Sequence, residues 1–227
     1  MHILASLLFL LLLMGASSAN AETPASDDVE QLIAALVSPN KEPECEESTD
    51  DLPRYPIDYD HAGQERVIKA RDTLLSRGKN AFPKVMKHIE DTRYSFNEEI
   101  EPHFCINFDV GHVCYRIFLV QLEVYDPLMI YQNPTDPNRF WVPREPRNLE
   151  KWWKERENLS LREIQLEGAK WAYARQKQTN FLKEKTAAKV LGDLQRLIER
   201  LESSDKPIQV DFKGNFLNEP ELKRTRS

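Results

Sequence analysis

Two short His-x-Cys units, His103-Phe-Cys105 and His112-Val-Cys114, are the residues in this sequence whose types and spacing come nearest to working chemistry. Imidazole and thiolate are borderline-to-soft ligands, and four of them make a tetrahedral set that suits zinc. The spacing departs from the common zinc signatures, in which cysteines come as Cys-x-x-Cys. The same residues admit a Cys105–Cys114 disulfide that closes a short loop, if the Cα atoms stand ~5.5 Å apart. They also admit a purely structural outcome, with Cys114 a small core residue on a helix and Cys105 buried nearby. Cys45 is the third cysteine, either free or reaching across to Cys105.

No further reactive set stands out. A thiol–imidazole pair drawn from these cysteines and His103 or His112 is chemically allowed, but closeness in sequence does not build one. Gly-x-Ser-x-Gly, His-Glu-x-x-His and glycine-rich phosphate loops do not occur, and 37 acids single out no carboxylate pair. The expectation is a protein without a catalytic set or cofactor, with zinc on His103, Cys105, His112 and Cys114 as the alternative. Four tryptophans fall in the C-terminal half: Trp141, Trp152, Trp153 and Trp171. Exposed aromatic faces stack on sugars or anchor partners, which makes Trp141 and Trp152 the binding candidates. Trp153 and Trp171 read as core between adjacent helices.

The elements that must position these residues are mostly helical. From Gly63 to Arg77, apolar residues recur at steps of three and four (Val67, Ala70, Leu74, with Ile68 and Leu75 beside them). Gly78 can take the left-handed conformation that closes a helix. A second helix is expected over Asn80 to Ile89, with Pro83 in its first turn. A polar insertion follows, Glu90 to Asp109, whose aromatic residues suggest that it packs down. Asp109 is a good cap for a helix over Val110 to Leu122. A proline-rich loop spans Tyr125 to Arg147. Short helices are expected at Val29 to Val37 and at Asn148 to Glu155. Ser160-Leu-Arg-Glu163 is a capping box that opens a helix to about Gln178. Leu-rich spacing predicts a last helix over Thr186 to Glu202.

The residues Leu74, Leu75, Gly78, Ala81, Pro83, Val85, Ile89 and Asp91 resemble a HEAT-type helical repeat: helix, glycine turn, and a second helix opened by small-hydrophobic-proline. Uncharacterised exported bacterial proteins carry similar units. The resemblance covers about a quarter of the chain. It implies a packing scheme and often a binding surface, not a reaction. The insertion at 90–109 interrupts the array, and a solenoid needs at least ~3 repeats. The fold class that follows is mostly α, a compact helical domain with a HEAT/armadillo-like helix pair and a long proline-rich loop.

Address and charge complete the reading. Ile3 to Met14 is an apolar run followed by Ala19-Asn-Ala21, the layout of a secretory signal peptide. The divisions expected are a signal peptide at 1–21, a flexible acidic segment at 22–51, a helical domain at 52–206 and an irregular basic tail at 207–227. The net charge of -6 argues against general nucleic-acid binding. No long apolar run follows Ala21, so no membrane span is expected after signal cleavage. The functional expectation is an exported, periplasmic or extracellular, non-enzymatic protein-interaction module with an unidentified protein partner. The rival is a metal-binding protein or enzyme that uses the cluster at 103–114.

Overall fold

The computed structural model describes residues 25–44, 55–101, 104–125, 140–178 and 183–219. These form a mostly α-helical protein with one two-stranded sheet. The expected signal peptide, residues 45–51 of the acidic segment, and 126–139 of the proline-rich loop lie outside the described residues.

α1 (Ala25–Ala34) lies against α2 (His61–Ser76) and α3 (Phe82–Val85). It buries Val29 and Ile33, and Leu36 follows just beyond its end. The helix expected at Val29 to Val37 therefore joins the main core, within the stretch 22–51 that the sequence divides off as an acidic segment. Asp60 caps α2, accepting from the Gly63 N–H at 2.8 Å. Gly78 ends the unit with φ at 59°, as expected for the glycine that closes a helix.

The second helix of the anticipated pair is not continuous. Residues 78–88 run as a 3-10 turn, the single α-turn of α3, and a second 3-10 turn. Pro83 is part of the reason. It has no N–H and its ring obstructs the carbonyl four residues back, so an α-helix cannot run through it from Lys79. The backbone then turns to meet the start of α4 (Val110–Leu122), where the Gly111 N–H donates to Asp91 O at 2.8 Å. A Cβ on Gly111 would fall 2.5 Å from Ile89 O, so only glycine allows this approach.

The insertion is a β-hairpin. β1 (Tyr94–Glu101) pairs antiparallel with β2 (Phe104–Asp109), with Phe96 opposite Phe108. Their rings stack at 5.1 Å on the core side, while Asn97 and Asn107 pair on the other face. Gln64, buried on α2, locks the hairpin. Its Oε1 accepts from Ser38 Oγ and Tyr59 OH, both at 2.9 Å, and its Nε2 donates to Ser95 O at 2.9 Å.

α4 runs through the middle, touching α2, α3, both strands and α6 (Leu161–Lys177). Asp109 caps it as anticipated, through the His112 N–H. α5 (Pro146–Lys154) adds Leu149, Trp152 and Trp153 to the same core. A second cluster joins α6 to α7 (Glu184–Ser203) through Ala169, Ala172, Leu194 and Leu201. Residues 207–219, irregular as expected, pack on the body of the protein. Ile208, Val210 and Phe212 are buried, and the Phe212 ring lies between the guanidinium groups of Arg71 and Arg116, at 4.5 and 5.0 Å.

Candidate functional site

A surface groove of about 770 Å³ lies between residues 79–89 and α5. Each wall has a local cause. Pro146 opens α5 in the first turn, where its missing N–H costs nothing. Leu149, Trp152 and Trp153 then recur on one stripe and turn α5 onto the core. Trp153 meets Phe82 edge-on at 5.4 Å and Phe118 at 6.0 Å, which fixes the helix against α3 and α4. Lys79 holds the far end. Its ammonium donates to the carbonyls of Glu157 and Leu159 and stands 5.6 Å from the Trp153 ring centroid.

The floor and lips are apolar: Pro83, Met86 and Ile89 on one side, Pro146 and the edge of Trp153 on the other. Four cations and two acids also line the groove: Lys79, Lys87, Arg147 and Lys154 against Glu150 and Glu157. Ile89 and Pro146 are shared with a second hollow of about 260 Å³ that continues past Tyr115, His112 and Arg144. There Arg144 lies over Phe140 at 4.3 Å, and burial pushes the Tyr115 phenol up to about 12. A phenol in that state donates hydrogen bonds at neutral pH and does not act as a base.

The structure does not bring the His/Cys tetrad together as four free ligands. Cys105 is disulfide-bonded, so it offers no thiolate. Cys114 is a free, fully buried thiol on α4, pushed up to about 12 chiefly by burial. The two are therefore not bonded to each other, and Cys114 has the core position that its helical spacing allowed. His112 is exposed on α4 with Nδ1 2.9 Å from Asp109 Oδ2. His103 lies outside the described residues. Among the described residues no three His, Cys, Asp or Glu side chains are grouped to hold a metal.

Trp141 and Trp152 are not open platforms either. Each is 8% exposed, and they pack edge-to-face at 5.0 Å. Arg156 covers Trp152 at 4.6 Å and reaches Trp141 at 5.9 Å. Trp153 is core, as expected, and Trp171 is half-buried between the two clusters.

Sequence reasoning passed over Lys87, Arg147 and Pro146, and read Met86 as part of a buried stripe with Phe82, Val85 and Ile89. A signal existed for one wall. Between residues 77 and 93 stand Arg77, Lys79, Lys84, Lys87 and Arg93 against only Glu90 and Asp91, a basic stretch in an acidic chain. That α5 would close the other wall depends on Trp153 meeting Phe82, a contact between residues 71 positions apart. Comparison with known proteins adds no relative: no family model, curated protein or solved structure matches the chain.

Proposed function

We propose that the protein is an exported, non-enzymatic interaction module that receives a segment of a partner protein in the groove between residues 79–89 and α5. The observation that carries this reading is the groove itself: about 770 Å³, apolar along its floor and rimmed by cations. Such a surface suits a short stretch of another chain, with apolar anchors below and polar groups at the rim. The α2 and 78–88 pair is read as one HEAT-like unit. Gly78 and Pro83 support that reading, and the broken second helix makes it a single irregular unit rather than part of an array. Export is supported by the leader-like residues 1–21 and by the disulfide at Cys105, since such bonds persist in oxidising compartments. No helix among the described residues is long and apolar enough to cross a membrane.

A photo-crosslinking residue placed at Met86, in the groove, tests this against the same residue at Lys189, exposed on α7. The expected result in intact cells is an adduct of one defined mass at Met86 only, mapping to one segment of one partner. Absence of an adduct at Met86, or equal adducts at both positions, removes the reading.

A further inference from the structure

We infer that the occupant of the groove is an extended acidic peptide segment that alternates carboxylate and apolar side chains. This rests on the groove being the partner site, as proposed above. The charge around it opposes that of the chain. Four cations and two acids make its lining positive by two, on a protein whose net charge is -6. Two of those cations are committed: Lys79 to backbone carbonyls and Lys154 to Glu157. Lys87 and Arg147 are both exposed and have no ion-pair partner among the described residues. They stand on opposite walls, Lys87 beside Met86 and Arg147 beside Pro146, with the apolar floor between.

A short extended chain fits along the wall that α5 provides. The 9 residues of α5 span about 13 Å at ~1.5 Å per residue. That length holds about four residues of extended peptide at ~3.3 Å each. In an extended segment successive side chains point to opposite faces. Alternation lets apolar side chains face Met86, Ile89 and the Trp153 edge while carboxylates reach Lys87 and Arg147. Glu150, on the same rim, opposes an acidic segment, but the two exposed cations, Lys87 and Arg147, outnumber it.

The test is a titration of the isotope-labelled protein, followed by amide chemical shifts. The probes are two blocked pentapeptides, Ac-Glu-Leu-Glu-Leu-Glu-amide and Ac-Lys-Leu-Lys-Leu-Lys-amide. The acidic probe is expected to shift amides of residues 84–89 and 147–154 saturably, more weakly as salt is raised, while the basic probe leaves them in place. The double reversal Lys87→Glu with Arg147→Glu should weaken the acidic probe about tenfold or more with the circular dichroism unchanged. If that variant loses helix signal, Lys87→Gln with Arg147→Gln is titrated instead, with a loss of about threefold expected. Equal binding of the two peptides, binding unaffected by either double variant, or shifts elsewhere on the surface overturns the inference. So does a heparin tetrasaccharide that displaces the acidic peptide and binds more tightly, because it would assign the cations to polyanions. An adduct at Met86 with no preference between the peptides would sink the acidic chemistry and leave the interaction reading standing; no adduct at Met86 would sink both.

Discussion

Trp141 packs against Gly168, so that a Cβ built on that glycine would stand 2.7 Å from ring atom Cζ3 and 2.8 Å from Cε3. The contact fixes how the end of the proline-rich segment meets α6. It also sets up a comparison between two glycines in helix interiors, Gly168 on α6 and Gly192 on α7. By intrinsic propensity, alanine should stabilise either position by about 1 kcal/mol. At Gly192 the nearest atom to an added Cβ is Arg196 Nη1 at 3.7 Å, an ordinary contact. Gly192→Ala should raise stability by about 0.5 to 1 kcal/mol. At Gly168 the obstacle is a 92% buried indole with no room to retreat, so the steric cost of about 1 to 3 kcal/mol wins and Gly168→Ala destabilises. Chemical denaturation of the two variants should give opposite signs; a stabilised Gly168→Ala would mean that Trp141 does not sit where the structure puts it.

A second prediction concerns the C-terminal segment. Gln165 is fully buried on α6, and its amide makes three hydrogen bonds. Nε2 donates to Gln121 O at 2.7 Å and to Ile208 O at 2.9 Å, and Oε1 accepts from the Ile208 N–H at 2.9 Å. Gln165→Leu keeps the approximate volume and strands three buried backbone groups. Each costs about 1 kcal/mol or more, so a loss of about 3 kcal/mol is expected. Amide exchange should rise most in residues 207–217. Uniform acceleration across the chain, or none, would show that Gln165 is not what docks this segment.

The cysteines give a third. The chain has three, Cys105 is disulfide-bonded and Cys114 is free and buried. By count Cys45 is the one remaining thiol in the chain. Non-reducing peptide mapping should recover the Cys105 peptide linked to the Cys45 peptide, and Cys114 alkylated only after unfolding. Cys114 should stay inert to thiol reagents in the folded protein at pH 8, because burial holds it protonated up to about 12. Rapid labelling of Cys114 in the native protein would contradict its place in the core.

Much of the helical framework was legible in the sequence because its signals are local. Asp109 and the Ser160–Glu163 capping box stand within four residues of the amides they satisfy, and Gly78 announces its own φ. The hairpin was not seen, although Phe104, Ile106 and Phe108 alternate with Cys105, Asn107 and Asp109. Its outer face carries Asn97 and Asn107, and Glu98, Glu99 and Glu101 add charge along the strand, so the stretch averages to polar and resembles a loop. Segment 207–217 was missed for a different reason. Its ladder partner is a side chain, Gln165, and the ring of Phe212 is covered by Arg71 and Arg116 from distant elements. The groove is legible only where Lys79, Lys84 and Lys87 crowd together. Its other wall needs α5 to be folded back onto Phe82.

The fourth prediction is a pH dependence at the N-terminal helix. Glu30 on α1 is 3.0 Å from Lys84 Nζ and 3.2 Å from His88 Nε2, and Asp28, two residues earlier, pairs with Arg77. The groups facing Glu30 from 78–88 are therefore cationic or protonatable. The Lys84 hydrogen bond holds the Glu30 carboxyl below its ordinary value of 4.5; burial opposes it, and the His88 hydrogen bond adds to the lowering. A carboxylate with a depressed folded-state pKa contributes stability that is fully present above 4.5 and is lost as pH falls through the lower folded value. The side chain is 40% exposed, so solvent screening limits the contribution to about 0.5 kcal/mol. Glu30→Gln should therefore cost that small amount at pH 7 and nothing near pH 3, where the wild-type carboxyl is itself becoming neutral. Denaturation midpoints of the two proteins should converge between pH 5 and pH 3. A difference that persists undiminished at acid pH would assign the cost to lost packing of α1 against α3 rather than to the ion pairs that hold it there.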